Sequence, residues 1–341
     1  MSGSTNAGGG SQSFLPEEYT VGWICALPKE LIAARAMLDV VHAKLKSQPK
    51  QDKNNYTLGS IGNHKVVIAC LPEYGVVSAA VAASSMQNTF TRVRFGLMVG
   101  IGGGIPSETN DIRLGDIIVS RPIEQGSGVI QYDLGRDEID GFKRIGTLDK
   151  PPMLLRTAIT DLIATRGIGK EISELVNAAF GDDEDDESDD TWTHPTVADN
   201  SGAGSQDILF KPESEHITNK EGCEDCSKDT ANIISRRSRR TPHPRVFYGN
   251  IASGNAVMKN GVKRDALAKR ENVICFEMEA AGLMDSFPCL VIRGICDYAD
   301  SHKNMAWQSY AAAVAAAYAK RLLFAISAEA VDCLAPIKTS K

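Results

Sequence analysis

Residues 19–38 read YTVGWICALPKELIAARAML, and this stretch decides the class of fold. The apolar run at 19–26 has the pattern of a strand that is buried on both faces. Pro28 suits the first turn of a helix, and Leu31 and Ala34 then lie on one helical face. A buried strand that leads at once into such a helix is typical of α/β proteins.

The same alternation continues on both sides of an irregular central segment. Further strands are predicted at 56–61, 65–71, 95–99, 116–120, 246–253, 273–276 and 290–296. Helices are predicted at 76–90, 153–165, 263–270, 279–286 and 305–329, and Gly62-Asn63 predicts a hairpin turn. These elements predict a single α/β domain with one sheet flanked by helices, formed by residues 18–180 together with 245–330.

Residues 181–244 interrupt this pattern and predict a largely disordered insertion, because they combine low hydrophobicity with dense charge. Residues 182–190 include eight acidic side chains, whereas RRSRR at 236–240 is strongly basic. The basic cluster is consistent with a nuclear address or a phosphate contact, but such clusters are more often solvated loops, here one that balances the acidic run. Residues 1–17 predict a disordered Gly/Ser tail without the features of a signal peptide.

Composition and charge narrow the class of function. The 341 residues carry a net charge of −6, which becomes +2 without the eight acidic residues of the insertion. A nearly neutral folded part argues against nucleic-acid binding, and the lack of a long apolar stretch argues against a membrane span. Most of the eight cysteines lie in apolar runs, as in proteins of a reducing compartment. We therefore predict a cytoplasmic protein, with the nucleus as the alternative.

A glycine run, GIGGGI at 100–105, follows a predicted strand and invites comparison with dinucleotide-binding loops. The G-x-G-x-x-G fingerprint requires glycine at the position of Ile105, and no suitably placed acidic residue follows. The run therefore argues against a nicotinamide cofactor. It predicts either a backbone that approaches a ligand closely, at Gly102 and Gly103, or a tight turn without a ligand.

Several acidic residues stand where strands end. Glu277 and Glu279 lie in FEMEA, where buried carboxylates suit paired ribose hydroxyls or, alternatively, complement a helix dipole. Asp297 directly follows the strand LVIRGIC, the place where α/β sheets carry their active sites, and suits a general acid. Asp300 fits the role of a helix N-cap better, and Glu30 alone resembles a surface glutamate of the first helix.

The insertion also contains Cys223-x-x-Cys226, with His216 and His243 nearby. One C-x-x-C pair with loosely spaced histidines is a weak zinc signal, because structural zinc motifs carry two closely spaced pairs of ligands. From the sequence we predict no metal site.

Seven motifs together resemble the purine nucleoside phosphorylase and uridine phosphorylase superfamily. In chain order they are VGWICALPKE, PEYGVVSAA, VGIGGGI, LGDIIVS, ASGNAV, FEMEAAG and IRGICDYAD. The resemblance covers about 18–180 and 245–327 and is strongest to the methylthioadenosine/S-adenosylhomocysteine nucleosidase branch, especially to the nucleoside phosphorylase domains common in fungal proteins. It implies one domain with a mixed, partly closed sheet wrapped by helices, and cleavage of a nucleoside N-glycosidic bond.

The resemblance also assigns roles to residues. Asp297 matches the aspartate that donates a proton toward purine N7, and Glu30 matches the glutamate that orients the attacking water. Glu279 matches the glutamate that holds the ribose hydroxyls, Met278 packs beneath the sugar, and Glu277 supports this cluster.

The sequence departs from the superfamily pattern at several positions. The hydroxyl that touches phosphate is replaced in Gly100-Ile101-Gly102, and a second phosphate-binding arginine falls near Met98. Both departures favour water over phosphate as the nucleophile, as does the charge of Glu30. The aromatic residue that stacks on the purine falls at Val257, leaving Phe247 or Tyr298 as substitutes. Trp307 falls near the pocket for the 5′-substituent, and His302 and Lys303 beside it suit a 5′-phosphate chain.

The leading prediction is therefore hydrolysis of a purine nucleoside or nucleotide, with release of free base and sugar and without a metal or organic cofactor. One alternative is a phosphorylase that binds phosphate through Arg92, Arg94 or Arg136. The other is a module that senses nucleotides without cleaving them. The predicted partner is a small molecule, not nucleic acid or membrane, and the superfamily implies a homodimer or larger homo-oligomer.

Overall fold

The computed structural model describes residues 12–124, 126–181, 192–195, 207–217, 223, 225–303 and 305–337. The strands are β1 (Val21–Cys25), β2 (Val40–Val41), β3 (Tyr56–Ile61), β4 (His64–Cys70), β5 (Phe95–Gly104), β6 (Ile117–Ser120), β7 (Val129–Gln131), β8 (Gly135–Glu138), β9 (Gly141–Arg144), β10 (Val246–Ser253), β11 (Val273–Glu277) and β12 (Cys289–Asp297). The helices are α1 (Pro28–Ala36), α2 (Val76–Thr89), α3 (Met153–Ala164), α4 (Ile168–Phe180), α5 (Gly261–Glu271), α6 (Gln308–Phe324) and α7 (Ala328–Asp332). No helix among these residues is long and apolar enough to span a bilayer.

A mixed sheet forms the centre of the domain, in the order β11-β10-β6-β12-β5-β1-β4-β3-β2, with β7 beside β10. An additional antiparallel pairing between β11 and β5 partly closes the sheet. Strands β12, β5, β1 and β4 are parallel neighbours, so their carboxyl ends lie along one edge. The predicted fold class, a single α/β domain with a mixed and partly closed sheet, is confirmed.

The core is densest where α6 covers β12 and β5. Every residue of β12 is buried, and the alanine-rich α6 packs on this strand. A Cβ added at Gly294 would lie 1.8 Å from the carbonyl oxygen of Ala311, so only glycine permits this approach of helix to strand. The close contact fixes the strand that carries Arg293 and Asp297.

Most predicted elements are present, but three expectations about them are wrong. The strand predicted at 95–99 continues through the glycine run to Gly104, because these glycines pair with β12 on one side and β11 on the other. The helix predicted at 279–286 is a single 3-10 turn, Ala280–Gly282. The long C-terminal helix is divided at Ser327, which has an extended backbone and begins α7.

Parts of the insertion lie against the domain. Arg239 forms an ion pair with the buried Asp116 at 2.5 Å, and Arg236 contacts Asp207 at 2.9 Å and the hydroxyl of Tyr298 at 2.9 Å. The acidic run at 182–190 and most of the N-terminal tail lie outside the described residues. The domain boundaries and the largely disordered insertion therefore stay predictions.

Candidate active site

Residues of α1, β5, β11 and the turn after β11 surround one buried arginine, Arg293 of β12. Its Nη2 donates to Glu277 at 2.5 Å and to Glu279 at 3.1 Å, and its Nη1 lies 4.0 Å from Glu30. Nη1 also donates to the carbonyl oxygen of Ile101 at 3.2 Å. The guanidinium is 1% exposed, and the three carboxylates raise its pKa although burial works in the opposite direction. Arg293 thus joins carboxylates from two separate sequence motifs, VGWICALPKE and FEMEAAG.

Glu30 is held rigidly at the start of α1. Its Oε2 accepts hydrogen bonds from the backbone N–H groups of Ala26 at 2.6 Å and Leu27 at 3.1 Å, and its Oε1 accepts one from Ile101 at 2.8 Å. Burial raises the pKa of Glu30, while Arg293 and these hydrogen bonds oppose the rise. Glu30 is 3% exposed and is therefore not the surface glutamate that its local sequence resembles.

Glu277 and Glu279 occupy the end of β11 and the turn after it. The carboxylate of Glu277 accepts from the N–H groups of Glu279 at 3.1 Å and Ala280 at 3.0 Å, and this contact turns the chain after the strand. Burial, more than any other cause, raises the pKa of Glu279 to about 7, with Glu277 and Glu30 adding to the rise and Arg293 opposing it. A carboxyl that titrates near neutrality is characteristic of functional sites.

The contacts of Glu279 also bring two further motifs into the cluster. Its Oε1 accepts a hydrogen bond from the N–H of Gly75 at 3.3 Å, and the side chain of Asn255 accepts one from Val76 at 3.3 Å. Gly75 has φ of +124°, a conformation that favours glycine. The PEYG turn and the ASGN segment are therefore positioned beside the same carboxylate.

Asp297 ends β12 and forms an ion pair with Lys303. The distance from Lys303 Nζ to Asp297 Oδ2 is 2.8 Å, and Asp297 Oδ1 accepts from the N–H of Ala299 at 2.8 Å. The pKa of Lys303 is raised: burial would lower it, but the charge of Asp297 prevails. Together these contacts hold the carboxylate of Asp297 in place at the end of its strand.

The glycine run allows close approach within the site. A Cβ at Gly100 would lie 2.3 Å from Glu30 Oε1 and 2.6 Å from Arg293 Nη1. A Cβ at Gly103 would lie 2.8 Å from Asp297 Oδ1, and one at Gly102 would lie 2.8 Å from Cys275 Sγ. The glycines of β5 therefore make room for the acidic side chains, rather than forming a turn.

The other predicted substrate-binding residues lie in different surroundings. Met278 stands between the two glutamates and is partly exposed, whereas Val257 is 44% exposed on the segment after β10. Trp307 is buried and lines a cavity of about 360 Å³ together with Asp116, Arg239 and Tyr310. The described lining residues of that cavity include none of the site carboxylates.

Both candidate substitutes for the aromatic residue that stacks on the purine, Tyr298 and Phe247, pack against other parts of the protein. Tyr298 is buried, and Arg236 of the insertion lies 5.2 Å from the centre of its ring. Phe247 packs in the core on β10. His302 is buried and stacks on Phe210, with ring centres 3.8 Å apart, so it faces the insertion.

Sequence reasoning missed Arg293, which holds the site together. One signal was present: a charged residue inside the apolar strand LVIRGIC needs buried partners of opposite charge. The ion pair between Lys303 and Asp297 was also missed. The loop between them is neither helix nor strand, so its sequence has no periodicity that predicts which side chains meet.

Known proteins resemble this chain in sequence. No family model matches the sequence. A nucleotide-binding leucine-rich repeat (NLR)-like protein of Hyaloscypha variabilis is 58% identical over 319 residues, which are 94% of this chain. The chain spans only 30% of the length of that protein. A 5′-methylthioadenosine/S-adenosylhomocysteine nucleosidase of Mycobacterium bovis is 25% identical over 323 residues, covering 89% of this chain and 95% of the nucleosidase.

Solved structures give the fold. Futalosine hydrolase of Helicobacter pylori matches with a TM-score of 0.54 at 16% identity, over 90% of this chain and 98% of its own. The Neisseria meningitidis 5′-methylthioadenosine/S-adenosylhomocysteine nucleosidase, in complex with methylthio-immucillin-A, matches with a TM-score of 0.53 at 16% identity, over 89% and 98%. The chain therefore has the fold of these nucleosidases and of futalosine hydrolase.

Proposed function

We propose that this chain hydrolyses the N-glycosidic bond of a purine nucleoside or nucleotide and releases the free base and the sugar. The main observation behind this proposal is that Glu30, Glu277 and Glu279 surround Arg293. Asp297 ends the same strand, β12. Such an arrangement offers hydrogen-bond acceptors for a sugar, a site for water and a group that exchanges a proton with the base. The nucleosidases that share the fold supply independent support.

In this proposal Glu279 binds the ribose. A carboxylate has about four acceptor positions. Arg293 and the N–H groups of Gly75 and Met278 occupy three of them on Glu279 and fix its orientation, so one remains for a ribose hydroxyl group. Met278 would pack beneath the sugar, and Glu277 would hold Arg293 and the turn in place. The negative charge of this cluster favours the positive charge that develops on the ribose as the base departs.

Glu30 orients the attacking water. Three backbone N–H groups hold its two oxygens, and a carboxylate has about four acceptor positions, so one remains for a water molecule. The raised pKa of Glu30 makes the carboxylate a stronger proton acceptor than an exposed glutamate. The water proton would pass to Glu30 as the oxygen attacks the anomeric carbon.

Asp297 acts as the general acid at the base. A protonated Asp297 donates to the purine nitrogen, so the electrons of the broken bond are accommodated on a neutral leaving group. Lys303 at 2.8 Å places a positive charge beside the carboxylate that remains after the proton has been given away.

Water is a better nucleophile here than phosphate. Arg92 and Arg94 precede the amino end of β5, about 20 Å along the strand from Ile101, and Arg136 lies on the exposed hairpin strand β8. None of these predicted phosphate ligands is therefore near Glu30. A phosphate dianion beside Glu30 would meet like charge, and the nearby cation Arg293 is already paired with Glu277 and Glu279.

The test is base release from a panel of purine nucleosides and nucleotides, each with and without phosphate, followed by chromatography of both products. We expect free base and free sugar without phosphate. Release that requires phosphate, with ribose-1-phosphate as product, would establish the phosphorylase instead.

Variants test the residue roles. Glu30→Gln keeps the shape of the side chain and should abolish turnover, whereas Glu174→Gln on the surface of α4 should have no effect. Asp297→Asn should slow purine cleavage by about 10² or more, the usual contribution of a general acid. Retained activity in a folded Glu30→Gln protein would remove Glu30 from the mechanism.

A second candidate function rests on the relative with 58% identity. This chain matches 30% of the length of that NLR-like protein, so its counterpart there is one part of a larger molecule. A module of that kind could bind a nucleotide without cleaving it. Tight binding of a nucleoside, with no base released over hours, would support the sensing module over the hydrolase.

A further inference from the structure

A cluster of cysteine and histidine side chains lies where the insertion meets the loop after β12. Its members are His216, Cys223 and Cys226 from the insertion and His302 from the loop. Ligand atoms of His216, Cys226 and His302 all lie within 4.8 Å of one another. None of these residues has a role in the proposed hydrolysis.

The distances from His216 to the two cysteine sulfurs are those of neighbouring ligands in a tetrahedral metal site. Nδ1 of His216 lies 3.4 Å from the sulfur of Cys226 and 3.6 Å from the sulfur of Cys223. Zinc bonds of about 2.3 Å to sulfur and about 2.0–2.1 Å to nitrogen, at tetrahedral angles, place the two ligand atoms about 3.5 Å apart. The sulfur of Cys223 also lies 3.6 Å from the carbonyl oxygen of His302, so this cysteine contacts both histidines of the cluster.

His302 provides the independent observation. It is 8% exposed, and neither of its ring nitrogens has a hydrogen-bond partner among the described residues. A buried imidazole without a partner is costly, because each polar nitrogen has lost its water. A metal ion between His302 and the nearby Cys226 would satisfy one of these nitrogens. Asp300 Oδ1 lies 3.8 Å from Nδ1 of His302, in the position of the carboxylates that orient metal-binding histidines.

The surrounding contacts hold the cluster in place. Phe210 stacks on His302, the N–H of His216 donates to the hydroxyl of Ser301 at 2.9 Å, and the N–H of Ile217 points to Cys226 Sγ at 3.5 Å. Cys226 is therefore held by the backbone of Ile217 as well as by the imidazole of His216.

We propose that His216, Cys223, Cys226 and His302 bind one Zn²⁺ ion, which fastens the insertion to the loop that carries Asp297 and Lys303. Two thiolates and two neutral imidazoles form a closed, neutral zinc site of the structural type. Binding releases the thiol protons to solvent and needs no oxidant or reductant. The sequence alone argues against a metal, because His302 lies 79 positions after Cys223 and only the fold brings them together.

Metal content tests the proposal without any measurement of activity. The full chain, purified from zinc-supplemented cells without chelator, should contain about one zinc per chain by elemental mass spectrometry, the stoichiometry of a closed site. The double variant Cys223→Ser/Cys226→Ser should contain none. The control Cys333→Ser alters an exposed cysteine that does not belong to the cluster, so this variant should keep the full zinc content.

A second variant and a second metal guard against loss of folding. His302→Phe retains a ring to stack on Phe210 and should weaken zinc binding at least tenfold. Wild-type protein stripped of zinc under reducing conditions and reloaded with Co²⁺ should show thiolate charge-transfer bands and the intense visible bands of tetrahedral cobalt. Zinc retained by the double cysteine variant, or wild-type protein that binds neither zinc nor cobalt with its thiols reduced, would overturn the proposal. Base release could persist in either case, so the two proposals fail separately.

Discussion

Replacing Arg293 with methionine tests whether one buried cation holds the candidate site together. Methionine keeps an apolar stem of similar length and removes the charge that contacts Glu277 at 2.5 Å, Glu279 at 3.1 Å and Glu30 at 4.0 Å. All four side chains are at most 5% exposed, so water cannot replace the lost partner. Removing one member of a buried ion pair costs about 3–5 kcal/mol, and we expect Arg293→Met to fall in this range at neutral pH.

The matched control is Arg321→Met. Arg321 contacts Glu171 at 2.6 Å, but the two side chains are 26% and 40% exposed, and the loss of such a pair costs about 1 kcal/mol or less. Urea midpoints and melting temperatures of both variants, with wild type, give the comparison. A deficit of 3–5 kcal/mol corresponds to a fall of roughly 6–20 °C in melting temperature.

The dependence on pH distinguishes lost charge from lost packing. Without Arg293 the buried carboxyls favour their neutral forms, so the folded state binds more protons than the unfolded state above a pH of about 4.5. Stability of the variant should therefore fall as the pH rises, and its deficit against wild type should be larger at about pH 8 than at about pH 5. A deficit no larger than that of Arg321→Met, or one that is independent of pH, would refute the reasoning.

Three further predictions concern the site and the insertion. Because the pKa of Glu279 is about 7, kcat/KM for base release should rise as the pH increases through this value, and Glu279→Gln should remove that step from the pH profile. Lys303→Met should slow base release, because the carboxylate left on Asp297 after proton transfer then lacks the ammonium group 2.8 Å away; an unchanged rate in a folded variant would contradict this stabilising role. Arg239→Met should accelerate amide hydrogen exchange over residues 236–245 by about tenfold or more, because the buried Asp116, 0% exposed, loses its ion-pair partner. The control Arg240→Met changes an exposed neighbour and should leave the exchange rates unchanged.

The sequence predicts the sheet well because its central strands are continuous apolar runs. Strands β8 and β9 are not predicted, because their sequences GRDE and GFKR are charged and largely exposed and therefore lack the alternation of apolar and polar residues that indicates a strand. The glycine run resembles a loop in sequence, but its neighbours on both sides supply the hydrogen bonds that make it a strand. Tertiary pairing thus overrides the low strand preference of glycine.

Some residues of the candidate sites can likewise be predicted from the sequence, and others cannot. Glu30, Glu279 and Asp297 stand directly after strands or in the first helix turn, so their positions follow from the order of elements. The cluster of His216 and His302 depends on a contact between the insertion and a distant loop, and no local pattern records such a contact. Residues fixed by a strand end can be predicted from the sequence, whereas those brought together by docking of an insertion require the fold.

The charge balance of the site links its structure to the choice of nucleophile. Glu30, Glu277, Glu279 and Asp297 face only two cations in the described cluster, Arg293 and Lys303, and both are already paired. A phosphate dianion would have to displace a carboxylate from one of these cations or enter uncompensated. Water carries no such cost, and excess negative charge stabilises a cationic sugar as the bond breaks. The arrangement that opposes phosphate therefore favours departure of the base, and this shared electrostatic origin is why hydrolysis is the stronger proposal.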